Sequence, residues 1–124
     1  MTNKILVVDD EPDFCEALRE FLEERGFSVV LANSCEEGLS AYRQHRPDIV
    51  LLDIKMPGKD GRETLRELKA FDPEVNVIMI TALHEEDLAL ETMADGAFDY
   101  ITKPVNPDYL EMALMTKIRL IERN

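Results

Sequence analysis

Five residues suited to phosphoryl chemistry follow short apolar segments of this chain, where strands are expected to end. Asp9 and Asp10 close "KILVVDD", Asp53 closes "DIVLLD", Thr81 closes "VNVIMIT", and Lys103 follows "FDYIT". In a parallel sheet whose strands are joined by helices, these ends meet along one edge, where open α/β folds place their sites. Three carboxylates, a hydroxyl and an ammonium would then share one pocket. Such a set can hold Mg²⁺ and accept a phosphoryl group.

The acidic residues are expected to bind a cation, because Mg²⁺ prefers hard oxygen ligands and keeps several waters. In one arrangement Asp10 reaches the metal directly, Asp9 holds a metal-bound water, and Asp53 adds a carboxylate from the neighbouring strand. Without a cation the carboxylates repel one another, so the pKa of at least one should be raised. A carboxylate can also attack a phosphoryl group, whose oxygens then need cations and donors such as Lys103 and Thr81.

Apolar segments of strand length alternate five times with amphipathic stretches of helical length, which predicts an α/β fold of the (βα)5 type. The predicted strands are "ILVV", "FSVVLA", "DIVLL", "VNVIMI" and "FDYI". Helix starts are indicated by Pro12, by a capping box of Ser34 with Glu37, and by Asn106 before Pro107. Right-handed crossovers give a doubly wound five-stranded parallel sheet, for which the flavodoxin-like order 2-1-3-4-5 is the leading candidate.

Apolar stripes predict the buried faces of the helices. The residues expected to face inward are Phe14, Ala17, Leu18, Phe21 and Leu22 on the first helix, Leu65, Leu68 and Phe71 on the third, and Leu110, Ala113, Leu114, Lys117, Ile118 and Ile121 on the fifth. Tyr109, Met112 and Met115 extend the apolar surface of the fifth helix beyond one buried face. They are interpreted either as scattered surface residues or as a docking surface.

Length and composition place the chain in a broad class. A chain of 124 residues is expected to form one domain, and a net charge of −12 disfavours direct binding to nucleic acid. Cys15 and Cys35 lie in predicted helices without metal-ligand spacing, which indicates small buried side chains in a reducing compartment. The sequence has no apolar stretch of membrane-spanning length and no signal peptide, so a cytoplasmic location without membrane contact is expected.

The motifs as a set resemble the receiver domain of two-component response regulators, the family that includes the chemotaxis regulator. The matching segments are "VVDDEP", "LLDIKMPGKDG", "ITA" and "DYITKP", and the resemblance covers essentially the whole chain, residues 1–124. It implies a phosphorylation-dependent signalling switch that catalyses only its own phosphorylation and dephosphorylation. The implied partners are a sensor histidine kinase or a phosphotransfer protein.

The resemblance also implies roles for the residues around the expected phosphorylation site. Asp53 is the implied phospho-acceptor. Asp9, Asp10 and Asp53 are the implied side-chain ligands of Mg²⁺, and the backbone carbonyl of Lys55 is a further ligand. Lys103 is implied to contact the phosphoryl group.

A conformational relay is the remaining implication. Thr81 would be drawn toward the phosphoryl oxygens, and Tyr100 would rotate inward to fill the space that Thr81 leaves. The surface of helix four, strand five and helix five would then change and dock an output domain or a second copy. Lys55 and Leu83 flank the expected path of the attacking water, and Leu83 offers no hydrogen bond to it, so slow self-dephosphorylation is expected.

Three other readings compete with a receiver domain. A phosphatase of the haloacid dehalogenase type places a second Asp two residues after its nucleophile, where this chain has Lys55. A flavodoxin needs a phosphate-binding loop rich in Ser, Thr and Gly after strand one, where this chain has "DDEPD". A pseudo-receiver that only mediates contacts is disfavoured by the full set of acidic residues, Thr81 and Lys103.

Overall fold

The computed structural model describes residues 3–58, 60–82 and 84–122. Within them, five parallel strands alternate with five helices. The strands are β1 (Lys4–Val8), β2 (Ser28–Ala32), β3 (Ile49–Asp53), β4 (Val77–Thr81) and β5 (Asp99–Thr102). The helices are α1 (Pro12–Glu24), α2 (Cys35–His45), α3 (Gly61–Phe71), α4 (Glu86–Ala94) and α5 (Pro107–Glu122). The strand order is β2-β1-β3-β4-β5, which confirms the predicted flavodoxin-like topology.

Helices cover both faces of the sheet, and the side chains of β1 alternate between them. Ile5 and Val7 belong to an apolar cluster with α1 and α5. Leu6 and Val8 belong to a second cluster with α2, α3 and α4. Coverage on both sides explains why the inner strands are apolar at successive positions.

Strand register brings the carboxyl ends of the inner strands to one edge. Asp53, the last residue of β3, pairs with Ile80 of β4, and Thr81 pairs with Thr102 of β5. Because β1 lies next to β3, the turn after Val8 reaches the same edge. The fold therefore places the residues after β1, β3, β4 and β5 near one another.

The predicted helix starts are present. The Ser34 hydroxyl accepts a hydrogen bond from the Glu37 N–H at 3.1 Å, and the Glu37 carboxylate accepts one from the Asn33 N–H at 2.8 Å. At α5, the side-chain oxygen of Asn106 accepts hydrogen bonds from the first turn, including one from the Tyr109 N–H at 3.1 Å. These bonds satisfy backbone donors that have no partner inside a helix.

Two predicted inward positions are wrong. Ala17 is exposed, because the buried stripe of α1 follows Cys15, Leu18 and Leu22. Phe71 is 42% exposed, because it ends α3 and packs outside the core, edge-on to a tyrosine of α2.

On α5 the prediction is confirmed more closely. Leu110, Ala113, Leu114 and Ile118 are buried, and Lys117 and Ile121 are half-buried. Tyr109, Met112 and Met115 are exposed, as expected for residues outside the buried stripe. No helix within the described ranges has the length and apolar character needed to cross a bilayer.

Candidate functional site

Three carboxylates meet where β1 and β3 end. Oxygen atoms of Asp9, Asp10 and Asp53 all lie within 4.8 Å of one another. Asp9 and Asp53 are buried, with 1% and 7% exposure, whereas Asp10 is exposed. The adjacent Asp9 and Asp10 therefore join the same cluster, Asp9 from the protein interior and Asp10 from the solvent-exposed surface. Parallel pairing of β1 with β3 brings Asp53 beside them.

One carboxylate oxygen of Asp9 is available to bind a cation. One of its oxygens, Oδ1, accepts a hydrogen bond from the Glu11 N–H at 2.9 Å. The other, Oδ2, is buried and accepts no well-oriented hydrogen bond from the described residues, although the Lys103 Nζ lies 3.0 Å away. An under-satisfied buried carboxylate oxygen beside two further carboxylates matches the hard oxygen ligands that Mg²⁺ prefers. The residues at this edge therefore fit the metal ion.

Lys103 reaches the acidic cluster from the loop directly after β5, the outermost strand on that side of the sheet. Its Nζ lies 2.8 Å from Glu11, 3.0 Å from Asp9 and 4.0 Å from Asp53. Its backbone N–H donates to the Thr81 carbonyl at 2.7 Å, which continues the β4–β5 ladder past the strand ends. Burial disfavours the charged ammonium, but the surrounding carboxylates outweigh it and raise the pKa of Lys103. The side chain is therefore a fixed cation beside Asp53.

Asp53 is the carboxylate whose titration is most perturbed. Burial, and then the negative charge of Asp9, raise its pKa from 3.8 to about 7, while Lys103 and the backbone N–H of Lys55 act in the opposite direction. The expectation that one crowded carboxylate has a raised pKa is confirmed. Without a metal ion, the Asp53 carboxyl group is therefore partly protonated near neutral pH.

A tight contact of α3 fixes the backbone of Asp53. The Gly61 N–H donates to the Ile54 carbonyl at 2.6 Å. A Cβ atom at Gly61 would lie 2.2 Å from the carbonyl oxygen of Asp53 and 2.8 Å from the Cα of Ile54. Only glycine allows α3 to begin this close to the end of β3.

The two residues of the expected relay lie on β4 and β5. Thr81 is buried, and its hydroxyl donates to the carbonyl of Ala82 at 3.2 Å. Tyr100 is half-buried and packs against the apolar cluster shared by α2, α3 and α4. The fold therefore places Thr81 at the same edge as Asp53 and places Tyr100 on the edge strand beyond it.

Sequence reasoning missed two acidic partners of the lysines. Glu11 holds the Lys103 ammonium at 2.8 Å, and Glu85 holds the Lys55 ammonium at 3.2 Å. Both glutamates line a small cavity of about 150 Å³ beside Asp53. Glu85 precedes α4, so its charge resembles that of any acidic helix start, and no local signal separates the two roles. Leu83, expected to flank the attacking water, lies outside the described residues.

A parallel (βα)5 sheet with a carboxylate cluster and a lysine at its carboxyl edge has the groups that accepting a phosphoryl group beside a cation requires. Residues 5–115 match the family described as the response regulator receiver domain, and the chain belongs to this family. It is therefore a receiver domain of the two-component type, a phosphorylation-dependent signalling switch.

Relatives of different lengths match the chain. It is 42% identical over 110 residues to the transcriptional regulatory protein ZraR of Klebsiella oxytoca, which covers 89% of this chain and 25% of that protein. It is 34% identical over 109 residues to the chemotaxis protein CheY of Bacillus subtilis (strain 168), which covers 87% of this chain and 91% of that protein. The chain thus spans about a quarter of the length of the transcriptional regulators that it matches.

Solved structures agree with the fold. A response regulator receiver domain protein from Clostridium thermocellum superposes with a TM-score of 0.93 at 36% identity, covering 97% of both chains. A CheY-like receiver domain protein from Methanospirillum hungatei superposes with a TM-score of 0.90 at 30% identity, covering 100% of both chains.

Proposed function

We propose that Asp53 accepts a phosphoryl group from a sensor histidine kinase or a phosphotransfer protein, and that the reaction requires Mg²⁺. The observation that carries this assignment is the position of the Asp53 carboxylate, which is buried at the end of β3 between two further carboxylates and the Lys103 ammonium. Asp9 and Asp10 are the other acidic ligands of the proposed metal site, and the backbone carbonyl of Lys55 is a further ligand.

The transfer step needs a carboxylate nucleophile and a stabilised phosphoryl group. An ionised Asp53 oxygen attacks phosphorus, the bond from phosphorus to the donor breaks, and the leaving group keeps the electron pair. The Lys103 ammonium, 4.0 Å from the Asp53 carboxylate, and the Lys55 backbone N–H, which lowers the pKa of Asp53, are near enough to meet the phosphoryl oxygens. Bound Mg²⁺ would supply positive charge to the same oxygens. Attack of water on the aspartyl phosphate returns Asp53 and inorganic phosphate.

The switch in our proposal runs from the site to the face formed by α4, β5 and α5. Among the described residues, the Thr81 hydroxyl donates to the neighbouring Ala82 carbonyl, so its turn to a phosphoryl oxygen would break only this local bond within the described part of the chain. Tyr100 then moves inward from its half-buried position. The population thereby shifts toward a second packing of this face.

The changed surface would bind the molecule that passes the signal on. The exposed Tyr109, Met112 and Met115 of α5 offer apolar area there. We propose that this surface docks an output domain or a second copy of the chain, and that residues 1–124 act as one receiver domain. The relatives named as transcriptional regulatory proteins are about four times longer than the matched part, which supports an output domain as the partner.

Phosphorylation of the whole chain tests the assignment. Incubation with acetyl phosphate and Mg²⁺ should add the mass of one phosphoryl group, and EDTA should prevent the addition. Asp53→Asn should stay unmodified, whereas Asp13→Asn, at an exposed position in the first turn of α1, should be modified like the wild type. Equal modification of Asp53→Asn and wild type would contradict the assignment.

A further inference from the structure

The loop after β3 is joined to the start of α4 by an ion pair across the mouth of the site. The Lys55 Nζ lies 3.2 Å from a carboxylate oxygen of Glu85. Lys55 follows the phospho-acceptor by two positions, and Glu85 is the residue directly before α4. Both residues line the small cavity beside Asp53. The pair therefore connects the loop that carries the site to the first helix of the output face.

Lys55 and Lys103 are the two cations that line this cavity within the described part of the chain. Lys103 already lies within 4.0 Å of three carboxylates, those of Asp9, Glu11 and Asp53. Among the described residues Lys55 has one carboxylate partner, Glu85, and its side chain is 68% exposed. A flexible ammonium with a single partner is the charge that can most easily move.

Phosphorylation adds negative charge beside Lys55. A phosphoryl group carries about −1.5 to −2 charges at neutral pH and replaces the single charge of the Asp53 carboxylate. The backbone N–H of Lys55 lies close enough to that carboxylate to lower its pKa, so the Lys55 side chain begins next to the modified group. The phosphoryl oxygens therefore compete with Glu85 for the Lys55 ammonium.

Among the described residues, ion pairs are more numerous at the end of α4 than at its start. Glu85 makes no side-chain capping bond to α4, and the buried residues of this nine-residue helix are Ala89 and Thr92. Directly after the last turn, Asp95 accepts a hydrogen bond from the Arg62 guanidinium of α3 at 2.9 Å. Loss of the Lys55–Glu85 pair therefore frees the first turn of α4 while the last turn stays attached to α3.

We propose that Glu85 is a positioning residue, which holds the Lys55 ammonium away from Asp53 in the unphosphorylated protein. After phosphorylation the Lys55 ammonium leaves Glu85 and pairs with the phosphoryl oxygens. The exchange releases the first turn of α4 and adds a second route from the site to the output face, beside that of Thr81. This inference rests on the proposed phosphorylation of Asp53.

Glu85→Gln tests the exchange, with Glu86→Gln as the control that removes the same charge one residue later. Glu85→Gln should move the amide signals of the first turn of α4 without any phosphoryl group, in the direction that beryllofluoride with Mg²⁺ moves them in the wild type. It should also raise the initial rate of modification by acetyl phosphate about two- to five-fold, the size expected for releasing one exposed ion pair. Glu86→Gln should change neither readout.

Lys55→Gln separates the loss of the pair from the gain of a free cation. It should move the α4 signals as Glu85→Gln does, but it should not raise the modification rate, because no ammonium is released. Equal spectra and rates for Glu85→Gln and Glu86→Gln would overturn the inference alone. A wild-type protein that gains no phosphoryl mass at Asp53 would overturn the proposed function and the inference together.

Discussion

Replacing Asp53 with Asn should stabilise the metal-free protein at pH 8 and remove part of the pH dependence of its stability. Burial and the charge of Asp9 raise the pKa of Asp53 from 3.8 to about 7 in the folded protein. The folded state therefore binds this proton more tightly than the unfolded chain. As pH rises from about 4 through 7, the wild type should lose this contribution to its unfolding free energy, and above that range the loss should level off.

The magnitude follows from the width of this pH window. A pKa difference from 3.8 to about 7 corresponds to at most about 4.5 kcal/mol, at about 1.4 kcal/mol for each tenfold change in proton affinity. Solvent reaches the cavity beside Asp53 and screens the charge, so we expect about 1–2 kcal/mol. The Asn side chain keeps nearly the same volume and carries no charge, so the packing at the end of β3 should be preserved.

Urea unfolding at pH 5, 6, 7 and 8 in EDTA, followed by circular dichroism, measures the effect. The free-energy advantage of Asp53→Asn over the wild type should grow between pH 5 and 8, and Asp13→Asn should show no such growth. Addition of Mg²⁺ should then stabilise the wild type more than Asp53→Asn, because ligand binding favours the folded state. A difference between variant and wild type that is constant across pH, or a variant that is less stable at pH 8, would refute the reasoning.

Four further outcomes are expected. Asp10→Asn should weaken Mg²⁺ binding in a metal titration and stabilise the metal-free fold by less than about 1 kcal/mol, because this carboxylate is exposed; unchanged affinity would contradict its role. Lys103→Ala should keep some phosphorylation by acetyl phosphate but lose most of the amide shifts of α4 and α5 with beryllofluoride, and shifts equal to the wild type would count against the coupling. Gly61→Ala should cost about 1–3 kcal/mol in urea unfolding, because its Cβ would lie 2.2 Å from a backbone oxygen of β3; wild-type stability would show that α3 can move away. Met112→Glu/Met115→Glu should abolish any self-association that beryllofluoride induces in sedimentation, and a wild-type monomer in both states would exclude homodimerisation by this chain.

Local patterns in the sequence were sufficient to predict the order and type of the secondary-structure elements. Apolar segments of four to six residues, capping residues such as Ser34 and Asn106, and alternation of strand and helix predicted every element of the fold within a few residues. The residues that meet at the carboxyl edge were also predicted, because each ends or directly follows a strand and parallel strands end at one edge. Phe71 shows the limit of this reasoning, since its spacing fits the stripe of α3 but its position at the helix end leaves it 42% exposed.

The sequence by itself determined which residues reach the carboxyl edge of the sheet, since strand ends and helix starts depend on neighbouring residues. The tertiary structure decided how the charges pair there. Lys103 and Glu11 lie 92 positions apart, yet their charged atoms are 2.8 Å from each other. The raised pKa of Asp53 and the pairing of Lys55 with Glu85 have the same origin, because Coulomb energy and desolvation depend on distance and burial in space. Those quantities are set only when strand register and helix packing bring separate segments together.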